Sequence, residues 1–233
     1  KYDNIEVILS KNFGMGKSTN IGLNKCHTQF AFILNPDARF KKNTLDNLIN
    51  SLKLLEDFAI LSPLNSNLSY PNFKINKNYQ KLHNDITEVD HLDGFSMLIN
   101  LKKYENKNLF DENFFLFLEN DDLCLRTRQK GEKIFVIKNS LIDHLGFSSS
   151  SQSSIKEMEY LRNWHWMWSK FYYNKKHGGY FISTLKILPH LISSIIKTLL
   201  FLLILDKHKS KIYQSRLGGI LNSMVGKGSW LRF

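Results

Sequence analysis

Apolar and polar positions follow two patterns along the first two thirds of the chain, short apolar runs and helical periodicity. Short apolar runs predict buried strands at residues 5–9, 29–34, 58–61, 93–99 and 133–138. Helical patterns occur at residues 20–26, 45–55 and 155–171. Because strands alternate with helices, we expect an α/β domain with a mixed, largely parallel sheet flanked by helices.

One apolar run is followed by a turn that carries a carboxylate. Residues 29–34 have the pattern of a parallel strand covered on both faces, and Asn35, Pro36 and Asp37 follow. Pro36 cannot continue a central strand. Asp37 is therefore expected at the carboxyl end of the strand, where open α/β sheets bind ligands, although a plain turn explains the same residues.

A second group of acids follows an aromatic run. Residues 114–118 are all aromatic or aliphatic and lead into Glu119, Asn120, Asp121 and Asp122. The apolar run is expected to enter a core, which leaves the acids at the core's edge, where strand gives way to helix. Three carboxylates in four positions repel one another unless a cation, a proton or a substrate joins them. These acids are therefore the first candidates for chemistry.

A loop at residues 10–20 partly matches a phosphate-binding P-loop. Residues 16–18, Gly-Lys-Ser, match the end of G-x-x-x-x-G-K-[ST], but Lys11 stands where the motif needs glycine. A nucleotide-hydrolysing P-loop is therefore not predicted. Gly14 and Gly16 still permit a ligand to approach the backbone closely.

The last third of the chain is apolar and basic. Residues 180–205 are strongly apolar, but Lys186, Pro189 and Lys197 interrupt them. A spanning helix needs about 20 mostly apolar residues, and the internal charges and proline favour a segment that lies on the membrane or re-enters it. From residue 180 onward the sequence contains eight Lys or Arg residues and one acidic residue, a net positive charge that suits anionic lipids at a cytoplasmic surface. A packed helical subdomain is the open alternative.

Size and charge set further bounds. A chain of 233 residues, 42% of them hydrophobic, can hold one sizeable domain and an appendage, which we place at residues 1–154 and 155–233. The net charge of +11 suggests an anionic partner, such as a nucleotide phosphate, a nucleic acid or an acidic membrane. Because no nucleic-acid motif is present, nucleic acid is not expected as a partner.

Two further observations concern the cysteines and the first residue. Cys26 and Cys124 lack a metal-type spacing, so we expect buried free thiols. The chain starts at Lys1, directly before an apolar run, and we expect an N-terminal piece to be missing.

Six motifs occur in a fixed order across residues 5–165. They are Asn12-Phe-Gly14 with Asn20-Ile-Gly22, Ile33-Leu-Asn-Pro-Asp37, Asp93-Gly94, Phe110-Asp-Glu-x-Phe-Phe115, Glu119-x-x-Asp122-Leu-Cys-Leu-Arg126 and His144-x-Gly146-x-Ser148. In this order they resemble the family 2 glycosyltransferases of the GT-A fold, nearest to the bacterial rhamnosyltransferase-like enzymes of O-antigen and cell-wall polysaccharide assembly. The resemblance implies that residues 1–154 are a catalytic domain and residues 155–233 associate with the membrane.

The resemblance also implies a metal site and a donor site. In such enzymes a D-x-D-like motif holds a divalent cation, and here Asp37 is the implied ligand, while Asn35 offers only a neutral oxygen. His144 resembles the second ligand. Carboxylate oxygens suit Mn²⁺ or Mg²⁺, and an imidazole favours Mn²⁺. The donor side is implied to include Asn12, Gly14, Asn20, Asn35 and Asp37.

The acids at 119–122 are implied to supply the general base, which removes the acceptor's proton as the hydroxyl attacks with inversion. Many relatives carry the base at the second position, which is Asn120 here and cannot act as one. Glu119 or Asp121 is then expected to serve, with Glu119 favoured. Asp122 is a further candidate, although its spacing to Arg126 also fits a helical ion pair. Asp93 and Gly94 are expected on the acceptor side, unless they form only a turn at the strand start.

The implied function is transfer of a sugar, rhamnose in the nearest group, from a nucleotide-diphosphate donor to a lipid-linked saccharide. The implied location is the cytoplasmic face of the bacterial inner membrane, reached through residues 180–205 and the basic C-terminus. The alternative is a non-catalytic nucleotide-sugar or carbohydrate-binding remnant of the same fold. Two expected acid positions, at Asn35 and Asn120, carry amides, which keeps that alternative open.

Overall fold

The computed structural model describes residues 4–55, 57–75, 81–83, 85–145 and 155–232, with the backbone alone for 81–83. The chain divides into two compact units, which we call the sheet unit and the helical unit. The sheet unit comprises Lys1–Asp111 and Glu119–Ser148, and the helical unit comprises Glu112–Leu118 and Ser149–Phe233. The predicted boundary between residues 154 and 155 stays a prediction. Gly146 and Ser148, the last residues of the histidine motif, lie outside the described residues.

Among its described residues, the sheet unit has a mixed sheet, a small two-stranded sheet and three α-helices. The helices are α1 (Met15–Lys25), α2 (Thr44–Leu52) and α3 (Glu119–Gln129). The strands are β1 (Phe30–Leu34), β2 (Ala38–Phe40), β3 (Ile60–Asn65), β4 (Phe73–Lys74), β5 (Lys81–His83), β6 (Ile86–Glu88), β7 (His91–Leu92), β8 (Ser96–Asn100) and β9 (Ile134–His144). A short 3-10 helix, Leu101–Lys103, follows β8.

Seven strands form the main sheet, in the order β1-β8-β3-β9-β6-β5, with β2 also paired to β9. Only β3 and β9 pair in parallel among the described strands, and the other pairs of this sheet are antiparallel. The prediction of a largely parallel sheet is therefore wrong for this part of the chain. An apolar run shows that both faces of a strand are covered, but it carries no information on the direction of the neighbouring strand. Here β8 runs between β1 and β3 in the opposite direction to both.

The central strands place alternate side chains on opposite faces of the sheet. Ile60 packs with Leu23 of α1 and Leu123 of α3, whereas the next residue, Leu61, packs with Leu48 of α2. All five of these leucine and isoleucine side chains are almost fully buried, and each contributes roughly 1.5–3 kcal/mol through burial. The sheet unit thus has a core on each face of one sheet.

Residues 5–9 are the clearest local error of the sequence prediction. They form no strand, and Val7 and Leu9 are strongly exposed. An apolar run becomes a stable strand only when a neighbouring strand satisfies its backbone groups, and no described strand pairs with these residues. The helix predicted at 20–26 begins earlier, at Met15, directly after Gly14.

The helical unit consists of α4 (Ile155–Leu203) and α5 (Lys207–Met224). The backbone of α4 breaks at Gly179, where φ is 82° and ψ is 166°. Ile220 of α5 packs with Met167, Phe171 and Ile187, which lie on both sides of that break. The close approach of the helices requires Gly219, because a Cβ there would lie 2.1 Å from the Trp164 carbonyl oxygen.

The apolar segment predicted at 180–205 is mostly helical. By length and composition, α4 is the one described helix that can cross a membrane, and only 11% of its most apolar stretch is buried. Such a helix is consistent with membrane association. Whether the segment lies on the membrane, re-enters it or spans it stays a prediction.

Candidate functional site

The carboxyl ends of β1 and β9 bring two of the predicted site residues together. Asp37 follows β1 and His144 ends β9, and Asp37 Oδ2 lies 3.4 Å from His144 Nε2. The backbone holds this arrangement, because Ala38 pairs with His144 and the Leu145 amide donates to the Asp37 carbonyl at 3.1 Å. The sheet topology thus places both implied metal ligands at one edge.

Phe95, just before β8, completes this edge. Its ring stacks on the His144 imidazole with centroids 4.2 Å apart and planes 4° apart. Its backbone carbonyl oxygen accepts a hydrogen bond from the backbone N–H of Asn35 at 2.8 Å. The turn after β1 and the end of β9 are therefore both fixed against the start of β8.

The donor set suits a hard cation that keeps most of its coordination sites for other ligands. Cis ligands at about 2.1–2.2 Å from a metal lie roughly 3 Å apart, close to the separation of Asp37 Oδ2 and His144 Nε2. Within the described ranges, no three His, Cys, Asp or Glu side chains form a metal-binding group. Asp37 and His144 can therefore supply two ligands, and the others would come from water or a bound phosphate.

Glu119 lies at the start of α3, after two residues in the left-handed region, Phe117 (φ 71°) and Leu118 (φ 67°). Its side chain is 5% exposed, and its Oε2 has no hydrogen-bond partner among the described residues. Burial, opposed by its own backbone amide and reinforced by the nearby charge of Asp121, raises the pKa of Glu119 to about 7. A carboxyl group with this pKa can accept a proton near neutral pH.

Asp121 is paired to His91, a residue that the sequence analysis did not select. His91 Nδ1 lies 3.1 Å from Asp121 Oδ1, although not in hydrogen-bond alignment, and His91 Nε2 lies 3.1 Å from Asp93 Oδ1. Lys74 Nζ lies 3.7 Å from the same Asp121 oxygen. One buried imidazole therefore stands between two of the predicted site carboxylates.

The position of His91 follows from a small two-stranded sheet. Lys74 of β4 pairs with His91 of β7. A signal for His91 was present in the sequence, because residues two apart in an extended segment point to the same side, and Asp93 is two residues on. The signal can be used only if residues 91–93 are known to be extended, and the polar run before them gives no indication of an extended backbone.

Asp122 and Asn120 make structural contacts. Asp122 is fully buried and accepts from Arg126 Nε at 2.8 Å, while Arg126 Nη2 donates to the Leu109 carbonyl. Asn120 Nδ2 donates to the Leu92 carbonyl at 2.9 Å. These contacts fix the first turn of α3, and the catalytic role predicted for Asp122 stays a prediction.

The predicted donor residues divide into two kinds. Gly14 precedes α1 with φ 88°, and its amide donates to Asn12 Oδ1 at 3.2 Å. Asn20 instead is buried and bridges to the backbone of Phe110, accepting at 3.0 Å and donating at 2.8 Å. The loop at Asn12 and Gly14 thus remains a candidate donor contact, whereas Asn20 stabilises the fold.

Helix α1 begins close to the acids. A Cβ on Gly16 would lie 3.1 Å from the Phe110 Cβ and 3.7 Å from the Glu119 Cβ. A Cβ on Gly94 would lie 2.5 Å from Met15 Cε, so the end of the Met15 side chain lies directly beside Gly94. The start of α1, the start of α3 and the segment before β8 therefore converge in the sheet unit.

Comparison with known proteins adds one relative. No family model matches the chain. The chain is 25% identical over 179 residues to the low-salt glycan biosynthesis hexosyltransferase Agl10 of Haloferax volcanii. The match covers 65% of the chain and 57% of that protein, so the chain spans little more than half of its relative's length. This similarity supports a glycosyltransferase.

Proposed function

We propose that the chain carries the catalytic site of an inverting glycosyltransferase of the GT-A type, which acts in glycan biosynthesis. The observation that carries the proposal is the buried Glu119 carboxyl group with an unpaired oxygen and a pKa raised to about 7. The Asp37–His144 pair at the carboxyl edge of the sheet and the relative's hexosyltransferase activity support it. The proposed donor is a nucleotide-diphosphate sugar, with rhamnose as the sugar implied by the family resemblance.

In the proposed reaction Glu119 Oε2 accepts the proton of an acceptor hydroxyl. The hydroxyl oxygen forms a bond to the anomeric carbon as the bond from that carbon to the diphosphate oxygen breaks. The leaving diphosphate takes the electron pair of the broken bond. Asp93 and Asp121, both held by His91, are the carboxylates that can orient the acceptor's other hydroxyls.

Asp37 and His144 would hold a manganese or magnesium ion, whose positive charge would offset the charge that develops on the leaving diphosphate. Substitution of Asp37 by Asn should weaken Mn²⁺ binding, measured by electron paramagnetic resonance without any sugar present. Asp57→Asn, which changes an exposed carboxylate paired with Lys103 in the same unit, is the matched control. Equal Mn²⁺ affinity in the wild type and in Asp37→Asn would contradict the metal assignment.

The proposed acceptor is a lipid-linked saccharide at the cytoplasmic face of a membrane. The support is the exposed apolar surface of α4 after Gly179, where the side chains of Phe181 and Leu203 are 74% and 82% exposed. Such a surface would allow the protein to meet an acceptor that cannot leave the membrane.

The test of the proposed function is a screen of nucleotide sugars with Mn²⁺ for release of nucleoside diphosphate by the full-length protein. Glu119→Gln should abolish the release, whereas Glu105→Gln, the same change at an exposed position of the sheet unit, should leave it intact. A protein that binds nucleotide sugars but never releases the diphosphate would instead be the non-catalytic remnant.

A further inference from the structure

Three basic side chains of the helical unit lie near one another. The Lys170 ammonium donates to Nε2 of His190 at 2.8 Å, which joins the two parts of α4 across the break at Gly179. Burial, followed by the positive charge of Arg216 on α5, lowers the pKa of the Lys170 ammonium. We call Lys170, His190 and Arg216 the cationic cluster.

No carboxylate of the described residues neutralises this cluster. Two carboxylates of the helical unit are engaged elsewhere: Glu159 pairs with His208 at 3.1 Å, and Asp206 pairs with Lys209 at 3.3 Å. The Nε of Arg216 is buried and has no hydrogen-bond partner in the described part of the chain. Two like charges held together without a counter-charge cost stability, and a buried unpaired donor adds to that cost. An anion bound from outside would offset both costs.

The cluster continues toward an apolar groove. Arg216 and Lys197 both lie over the ring of Tyr213, at 5.6 and 5.1 Å from its centroid. Lys197 also lines a groove of about 450 Å³ on α4, whose other walls include Leu188, Ile192 and Ile196. Basic and apolar surfaces are therefore contiguous, with Lys197 belonging to both.

We propose that the cationic cluster binds the phosphate group of a membrane lipid, with the lipid's hydrocarbon in the adjoining groove. A phosphate offers the charge and the several acceptor oxygens that a Lys and an Arg together can satisfy, and Arg suits its geometry particularly well. The groove favours a lipid-borne phosphate over a free one, because an apolar wall gains nothing from a soluble anion. This binding does not depend on the sugar transfer proposed above, and it can be measured without any sugar donor.

The test uses the whole protein and vesicles of phosphatidylcholine, with or without phosphatidic acid, in a co-sedimentation assay. Lys170→Gln and Arg216→Gln should each weaken binding to the phosphatidic acid vesicles roughly tenfold, since each removes a charge-assisted hydrogen bond. Lys211→Gln removes the same charge from an exposed position of α5 and should change binding much less. In a second arm, inorganic pyrophosphate is added to compete with the vesicles. If it competes and a substitution in the apolar groove does not change vesicle binding, the phosphate that the cluster binds is a free one and not that of a lipid.

Two results would overturn the proposal. In the first, Lys170→Gln and Arg216→Gln weaken neither vesicle nor pyrophosphate binding more than Lys211→Gln does, which would show only general surface charge. In the second, Arg216→Gln lowers the melting temperature, since a phosphate site predicts that removing this unpaired cation leaves the melting temperature unchanged or raises it. Substitution of Ile192 by Asn should lower vesicle binding but not pyrophosphate binding, which separates the groove from the cluster.

Discussion

The sheet unit and the helical unit balance their charges in opposite ways. In the sheet unit, acids lie beside bases: Asp121 lies between His91 and Lys74, and Asp122 is paired with Arg126. In the helical unit, Lys170 and Arg216 lie near each other without a carboxylate in the part of the chain that the structure describes.

Each unit contains a buried polar atom without a hydrogen-bond partner, and the chemistry of that atom differs between the units. Among the unsatisfied groups of the sheet unit is one oxygen of a protonatable carboxyl, Glu119 Oε2, which fits a site that takes up a proton. Among those of the helical unit is a guanidinium donor, Arg216 Nε, which fits a site that binds an anion. Fully satisfied pairs, such as Asp122 with Arg126, indicate structure in either unit.

The largest expected effect concerns Glu119. Glu119→Gln should lower the transfer rate by about 10²- to 10⁴-fold, because a positioned general base contributes that much. The measurement is the steady-state rate of nucleoside diphosphate release in the presence of acceptor. Asp121→Asn at the His91 pair should cost less, and a larger loss at Asp121 than at Glu119 would move the base to that residue.

The buried Asp122–Arg126 pair of the sheet unit should affect the free energy of unfolding and not the rate of sugar transfer. Asp122→Asn leaves Arg126 without its carboxylate and should lower the free energy of unfolding by about 3 kcal/mol. Asp46→Asn, at an exposed position of α2, should change it by less than about 0.5 kcal/mol. Urea unfolding curves measure both, and equal effects would show that Asp122 is not a structural residue.

The raised pKa of Glu119 predicts a pH dependence of stability. The folded protein keeps the proton up to about pH 7, whereas the unfolded chain loses it near the ordinary value of 4.5. Because the folded state binds more protons between these values, stability should fall by about 3 kcal/mol as the pH rises through that window. Denaturant unfolding at both ends of the window measures the loss, and Glu119→Gln should remove it. An unchanged pH slope in the variant would mean that another group is responsible.

The smallest expected effect concerns the cations of the helical unit. Arg216→Gln should raise the free energy of unfolding slightly, by about 0.5–1 kcal/mol, because it relieves repulsion with Lys170. Lys211→Gln is the control for loss of one positive charge on the same helix. Thermal melts in the absence of phosphate compare the two, and a clear loss of stability in Arg216→Gln alone would show that the cluster is internally balanced.

Sequence patterns predicted the local elements better than their arrangement. The apolar runs near β1, β3, β8 and β9 do form strands, because burial on both faces leaves a plain signal in composition. Strand direction left no such signal, so the antiparallel insertion of β8 was not predicted. Residues 5–9 show the converse, since an apolar run without a described partner strand forms no strand.

The site was predictable where a residue adjoins a strand end, and less so elsewhere. Asp37 and His144 could be placed at one edge because both follow strands and both match a motif. His91 and the cationic cluster depend on segments far apart in sequence. His91 lies beside Asp121, and Lys170 contacts His190 across the break of α4 at Gly179. Asn20 matched a motif, yet the structure uses it to hold Phe110.

The most direct test measures nucleoside diphosphate release from a panel of nucleotide sugars, with Mn²⁺ and a lipid-linked saccharide fraction, for the wild type, Glu119→Gln and Glu105→Gln. We predict acceptor-stimulated release from at least one donor by the wild type and Glu105→Gln, and a loss of about 100-fold or more in Glu119→Gln. Release by Glu119→Gln at the wild-type rate, or no release with any donor by the folded wild type, would contradict the proposed sugar transfer at this site.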